Sequence, residues 1–219
     1  GARLGREADG GSVGQRHQPV GQLIHQLQRA LHGGDRLERV DVGKAGKPRH
    51  LLVEARIVLH RARAERIHPT VDRVVEAAEA LRVGHALAEG TQIGPVVSEA
   101  QLAANLTWVE RGRTDGAELL TGGQRLERPT QGHYMAPAIF AGTRNDMAMN
   151  REEMFAPITC VIKVDSYAEA LATANDSEFG LSAAVFSQNI AQALDVAKQI
   201  DSGICHINGA TVHDEAQMP

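Results

Sequence analysis

The sequence predicts an α/β fold: a largely parallel sheet with flanking helices. Three observations carry this expectation. From Arg56 onward, short apolar runs alternate with stretches whose apolar residues recur every three to four positions. Two Ser-x-x-Gln/Glu words, Ser98 to Gln101 and Ser166 to Glu169, have the form that opens a helix. Glycines stand where several elements must stop, at Gly84 and at Gly122-Gly123.

Taken in order, Ile57 to His60 is a short strand. Val71, Val74, Val75, Ala78 and Leu81 share one helical stripe, which Arg82-Val83-Gly84 closes. Ser98 opens a helix through about Glu110, carrying Leu102, Leu106 and Val109. Ala117 to Leu120 is a strand, and Ala138 to Phe140 is extended. Pro157 to Val164 reads as a buried-type strand. Ser166 opens a helix to about Asn175. Leu181 to Ser187 is a strand, and Ile190 to Ile200 is a helix with Ala193, Leu194, Ala197 and Ile200 on one side. Gly203 to Ile207 is the last strand.

Composition divides the chain. All seven aromatic residues, both cysteines and all five methionines lie at or after Trp108. Residues 1–70 carry a net charge of +6, residues 71–219 one of −10. Ten of the first 50 residues are glycine, and only Val20 to Leu31 has helical spacing there. Residues 1–55 are therefore read as an atypical segment, poorly ordered or a translation artefact, and 56–219 as the folded unit. A basic arm for nucleic acid is the rival reading of the first segment, but no aromatic is present there to stack on a base. The whole chain, at net −4, gives no electrostatic case for nucleic acid or an anionic membrane. No apolar run approaches the ~18 residues of a membrane span. Two cysteines make no disulfide framework, so a reducing cytoplasm is the expected setting.

Four words, in order, carry a resemblance. They are Arg82 to Ser98 with its Ile93-Gly94-Pro95, Asn150-Arg151-Glu152-Glu153-Met154-Phe155-Ala156-Pro157, Asn175 to Ala183 with its Phe179-Gly180-Leu181, and Ser202 to Asn208. Together they resemble the later part of the catalytic domain of NAD(P)-dependent aldehyde dehydrogenases. The loop from His206 to Pro219 is similar to that of the salicylaldehyde, vanillin and benzaldehyde dehydrogenases. The resemblance implies oxidation of an aldehyde, of aromatic type, to a carboxylic acid with NAD or NADP. It also implies a homo-oligomer, and a chain cut at both ends without the terminal oligomerisation strand.

The same resemblance assigns roles. Glu153 matches the carboxylate that accepts hydrogen bonds from the nicotinamide ribose, and Phe155 the ring that flanks the nicotinamide. Asn208, Gly209, Thr211, Val212 and His213 match the substrate-pocket loop. Ala156 departs from the family's glycine, and its Cβ would shift the loop if that position needed positive φ.

Catalysis in this family begins with an exposed, activated thiolate that attacks the aldehyde to give a thiohemiacetal. The expected Gly-Gln-x-Cys word would fall near Gly46 to Leu51, where no cysteine stands. Cys160 and Cys205 lie in apolar strand-like runs and read as structural, and adjacent Cys205 and His206 should point to opposite faces. No catalytic residue is assigned, and the chain by itself is expected to be inactive. The rival is a non-catalytic binding or structural piece. Gly10-Gly11-Ser12-Val13-Gly14 is slightly similar to a cofactor loop, but no strand precedes it.

Overall fold

The computed structural model describes residues 69–209 and 211, together with the backbone of Asp41–Ala45 and Ala55–His60. The expected helix over Val20 to Leu31 lies outside the described residues.

Strand β1 is Asp41–Ala45, and β2 is Ala55–His60. Helix α1, Pro69–Glu79, begins with proline at a position where the missing N–H costs nothing. Helix α2 is Glu99–Thr114. Strands β3 (Glu118–Thr121), β4 (Arg125–Leu126), β5 (Tyr134–Met135) and β6 (Ala138–Ala141) follow. A single-turn helix α3, Ala148–Arg151, leads to β7, Ile158–Val164. Helix α4 is Tyr167–Asn175, β8 is Ser182–Phe186, α5 is Ile190–Gln199 and β9 is Ile204–Ile207.

The two Ser words cap as expected on one side. Ser98 accepts from the Gln101 backbone N–H and Ser166 from that of Glu169. The return bonds go elsewhere. Glu169 accepts from the Asp165 N–H, one residue before the cap, and Gln101 turns inward. α2 runs a full turn past Glu110, to Thr114, and gives way at Asp115 and Gly116, whose φ is +90°.

Seven strands form one sheet in the order β3-β6-β7-β2-β1-β8-β9. The α/β class and the flanking helices are as expected, but the sheet is more mixed than "largely parallel". β6–β7, β7–β2 and β8–β9 are parallel, whereas β3–β6, β2–β1 and β1–β8 are antiparallel. Two of the antiparallel pairings come from β1, a strand in a stretch where no period was found. The others missed by periodicity, β4, β5 and α3, span only two to four residues each. That is too short for a period to declare itself.

The side chains of β6 and β7 sort by alternation. Ala138, Phe140, Ile158 and Cys160 join the cluster that contains Leu102 and Val109 of α2. Ile139 and Val161 join the cluster that contains Val71, Val74 and Ala78 of α1. The two helices thus cover opposite faces, giving three layers, and β7 is buried except at Lys163. α4 and α5 bring Ala174, Ala193 and Val196 onto Ala183 and Val185 of β8. Gly122 permits the turn between β3 and β4: its φ is +71°, and a Cβ there would stand 1.7 Å from the Pro137 carbonyl oxygen. Among the described residues no helix is long and apolar enough to cross a membrane.

Candidate functional site

α3 ends where the Glu152 N–H reaches the Ala148 carbonyl at 2.8 Å and the Glu152 backbone turns extended. The next four residues alternate. Glu153 is exposed, Met154 is buried, Phe155 is 48% exposed, and Ala156 is buried. Met154 and Ala156 sink into the same cluster beneath α2. They anchor a short span from which the carboxylate and the aromatic ring project outward.

Phe155 holds a positive φ of 54°, one of two non-glycine residues to do so among those described. A bulky residue in that region is strained, by about 1–3 kcal/mol, and persists only where its surroundings impose it. The strain therefore sits at Phe155. Ala156 has no positive φ, and its Cβ packs in the core, so the anticipated shift from replacing glycine does not arise.

Several contacts impose this geometry. Gln101 Nε2 donates to the Met154 carbonyl oxygen at 3.3 Å. Arg111 lies over the Trp108 ring, 5.0 Å from its centre, and donates to Glu152 Oε1 at 3.3 Å. Arg151 grips Asp176 through both guanidinium nitrogens and also donates to its backbone carbonyl. Two of the four sequence words are thus tied to each other. Gln101, Arg151, Glu152 and Asp176 stand inside words read from sequence, but none was assigned a holding role there. The signal available for one of them is a polar Asn105 inside the buried stripe Leu102, Asn105, Val109 and Gly112.

Beside this span lies an open cleft of about 460 Å³, lined among others by Arg111, Arg144 and Arg151. Each of these cations is already paired, with Glu152, Asp146 and Asp176 respectively. Neither Glu153 nor Phe155 lines the cleft, so its size alone does not make it the cofactor cradle.

The second group of expected site residues starts at Asn208. Its φ is 53°, and its backbone N–H donates to Val185 O at 2.8 Å. Its side chain accepts from Ser187 N–H at 2.9 Å and donates to Ser187 O at 3.0 Å. Those atoms act as one more rung of the β8–β9 ladder. Gly209 and Thr211 are half-buried. Val212 and His213 lie outside the described residues. The structure does not bring this group to Glu153 and Phe155. β7 and β9 point the same way, since the two antiparallel steps through β1 cancel. Glu153 and Phe155 precede β7, whereas Asn208 follows β9. The groups sit at opposite strand ends, four strand spacings apart, or roughly 19 Å laterally at ~4.8 Å per spacing.

The cysteines behave as read from sequence. Cys160 is fully buried beneath α2. Cys205 packs against the α4–α5 cluster, and burial pushes its thiol pKa up, away from thiolate. A nucleophile needs the opposite shift. The expected nucleophile word near Gly46 to Leu51 lies outside the described residues. Among the described residues no group of His, Cys, Asp and Glu is arranged to hold a metal ion.

A family model described as the aldehyde dehydrogenase family matches residues 53–219. An alpha-ketoglutaric semialdehyde dehydrogenase of Bacillus subtilis is 39% identical over 150 residues, 68% of this chain and 31% of that protein. A vanillin dehydrogenase of Corynebacterium glutamicum is 41% identical over 148 residues, 68% of this chain and 30% of its own. In structure, an NAD+ complex of a Bacillus cereus aldehyde dehydrogenase aligns at a TM-score of 0.67 with 32% identity. That alignment covers 74% of this chain and 32% of the other. The chain spans less than a third of the length of the curated relatives it matches.

Proposed function

Because the chain belongs to the aldehyde dehydrogenase family, we propose that it is the part of an NAD(P)-dependent aldehyde-oxidising enzyme that presents Glu153 and Phe155 to the nicotinamide end of the cofactor. The observation that carries this reading is the span from Glu153 to Ala156. A large aromatic ring is left 48% exposed in a strained backbone conformation, next to an exposed carboxylate, on two buried anchors. A free surface ring gains nothing from such strain, whereas a ring waiting for a flat partner does.

These residues fit the cofactor chemically. A carboxylate offers two acceptor oxygens, which suits two neighbouring ribose hydroxyls, and Phe155 offers a face and an edge to a planar ring. A bound nicotinamide would supply a two-electron hydride acceptor for the oxidation. The part of Glu153 and Phe155 is to fix where that ring sits. Asn208, Gly209, Thr211, Val212 and His213 enter as substrate-loop residues on motif resemblance. The finer substrate reading, an aromatic aldehyde, is supported by the same loop and by the likeness to a vanillin dehydrogenase. A homo-oligomer in a reducing cytoplasm completes the proposal.

Among the described residues Cys160 is buried and Cys205 half-buried, which favours a cofactor-facing piece without turnover of its own. Two measurements test these readings. Incubated with benzaldehyde and NAD+, the chain should produce no absorbance of reduced cofactor; turnover that vanishes in Cys205→Ser would overturn the inactivity. In an enzyme completed with the upstream segment, Glu153→Gln should lower kcat about tenfold, the loss of roughly one hydrogen bond to a charged group. The cofactor KM should change less. Wild-type kcat and KM in that variant would remove Glu153 from the cofactor site.

A further inference from the structure

α2 buries one stripe, Leu102, Asn105, Val109 and Gly112. Three of these suit a core and one does not. Asn105 is fully buried, and its Nδ2 has no hydrogen-bond partner in the structure. A carboxamide in that state is costly, and a leucine of similar size would pack without the orphaned donor. What Asn105 does offer is its Oδ1. Gln101 Nε2 donates to it at 2.8 Å and, from the same nitrogen, to the Met154 carbonyl oxygen at 3.3 Å. Gln101 lies one helical turn before Asn105, so the pair forms a short rail along α2 that ends on the backbone between Glu153 and Phe155.

We infer that Asn105 is a positioning residue: it fixes the Gln101 amide against the Met154 carbonyl and so sets the backbone that carries Glu153 and Phe155. The functional meaning of this rests on the reading of those two residues as cofactor-facing. The chemistry follows from the donor count. A carboxamide nitrogen has two hydrogens, and Gln101 needs an acceptor for each. With Asn105 Oδ1 taking one, the other is aimed at Met154. Without it, a half-buried amide swings to find water, and the carbonyl loses the Gln101 hydrogen bond. The strained φ at Phe155 then has one fewer restraint.

Hydrogen exchange read by mass spectrometry on the whole chain tests this. In Asn105→Leu the segment 150–156, whose Asn150 and Glu152 N–H groups are hydrogen-bonded, should exchange about fivefold faster, the loss of about one hydrogen bond. The segment 158–164 of β7 should not change. Asn105→Asp, which keeps the acceptor, should stay near wild type at 150–156. Unchanged exchange at 150–156 in Asn105→Leu overturns the proposal, as does equal acceleration in both segments, which would mean a purely structural role. Should Asn105→Leu fail to fold, the wild type decides. Its Gln101 side-chain amide protons should exchange at least fivefold more slowly than those of exposed Gln131, and equal rates overturn the proposal. Adding NAD+ to the wild type scores the cofactor reading separately. Protection of 150–156 supports it, and no protection counts against that reading while leaving the rail intact.

Discussion

Asn208→Ala distinguishes a turn post from a free ligand-facing side chain. The substitution removes two hydrogen bonds to Ser187, at 2.9 and 3.0 Å. Each is worth about 1 kcal/mol net. Ser187 is only 6% exposed, so water replaces the lost partner poorly. Alanine must also hold a φ of 53°, at about 1 kcal/mol. The sum is about 3 kcal/mol. Asn208→Gly loses the same bonds but not the backbone term, so it should cost less, about 2 kcal/mol. In urea, at an m-value of about 2 kcal/mol/M, the midpoints should fall by about 1.5 M and 1 M. Circular dichroism at 222 nm follows the transition. A shift under about 0.3 M for alanine, or glycine worse than alanine, would refute the turn-post assignment.

Other outcomes follow from the same geometry. Gly122→Ala should cost more than about 3 kcal/mol, since its Cβ would meet the Pro137 oxygen at 1.7 Å, whereas Gly116→Ala, with φ +90° and open space, should cost about 1–2 kcal/mol; thermal melts compare them. The hydrogen bond from Arg125, helped by His133, lowers the pKa of Glu99 below 4.5 in the folded chain. A lowered carboxylate pKa gives stability above the unfolded value that is lost as pH falls through the folded one. The gap in Tm between wild type and Glu99→Gln should therefore be present at pH 7 and shrink as pH falls through the lowered carboxylate range. Burial, with the Asp195 carboxylate accepting from its hydroxyl, pushes Tyr167 from 10.0 up to about 12. That contribution is full below pH 10 and lost as pH rises toward 12, so absorbance at 295 nm should show an ionisation near pH 12 that Tyr167→Phe removes.

Much of the chain after Val71 was legible because its signals are local. The Ser98 and Ser166 caps, the stripe from Val71 to Leu81 and the buried-type strand into Val164 each declare themselves within a dozen residues. β1 was not legible. Asp41-Val42-Gly43-Lys44-Ala45 alternates only weakly, and its place follows from partners on both sides rather than from its own pattern. At the site, the motif pointed to Glu153 and Phe155 but not to what holds them. Gln101 and Met154 are 53 positions apart, and Arg151 and Asp176 are 25 apart; such pairings leave no periodic trace. Asn208 carried a recognisable word whose side chain the structure spends on Ser187. Alanine at 156 looked consequential, yet the positive φ belongs to Phe155 and not to Ala156.

β1 has a further consequence. It behaves as a shim: a strand slipped between two neighbours that already run in the same direction. Lys44 faces Arg56 on one side and Ala183 on the other, so Arg56 and Ala183 lie level across it. Lifted out, the shim would leave β2 and β8 running the same way, with Arg56 level with Ala183. Its presence changes the width of the sheet but not the direction in which its neighbours run.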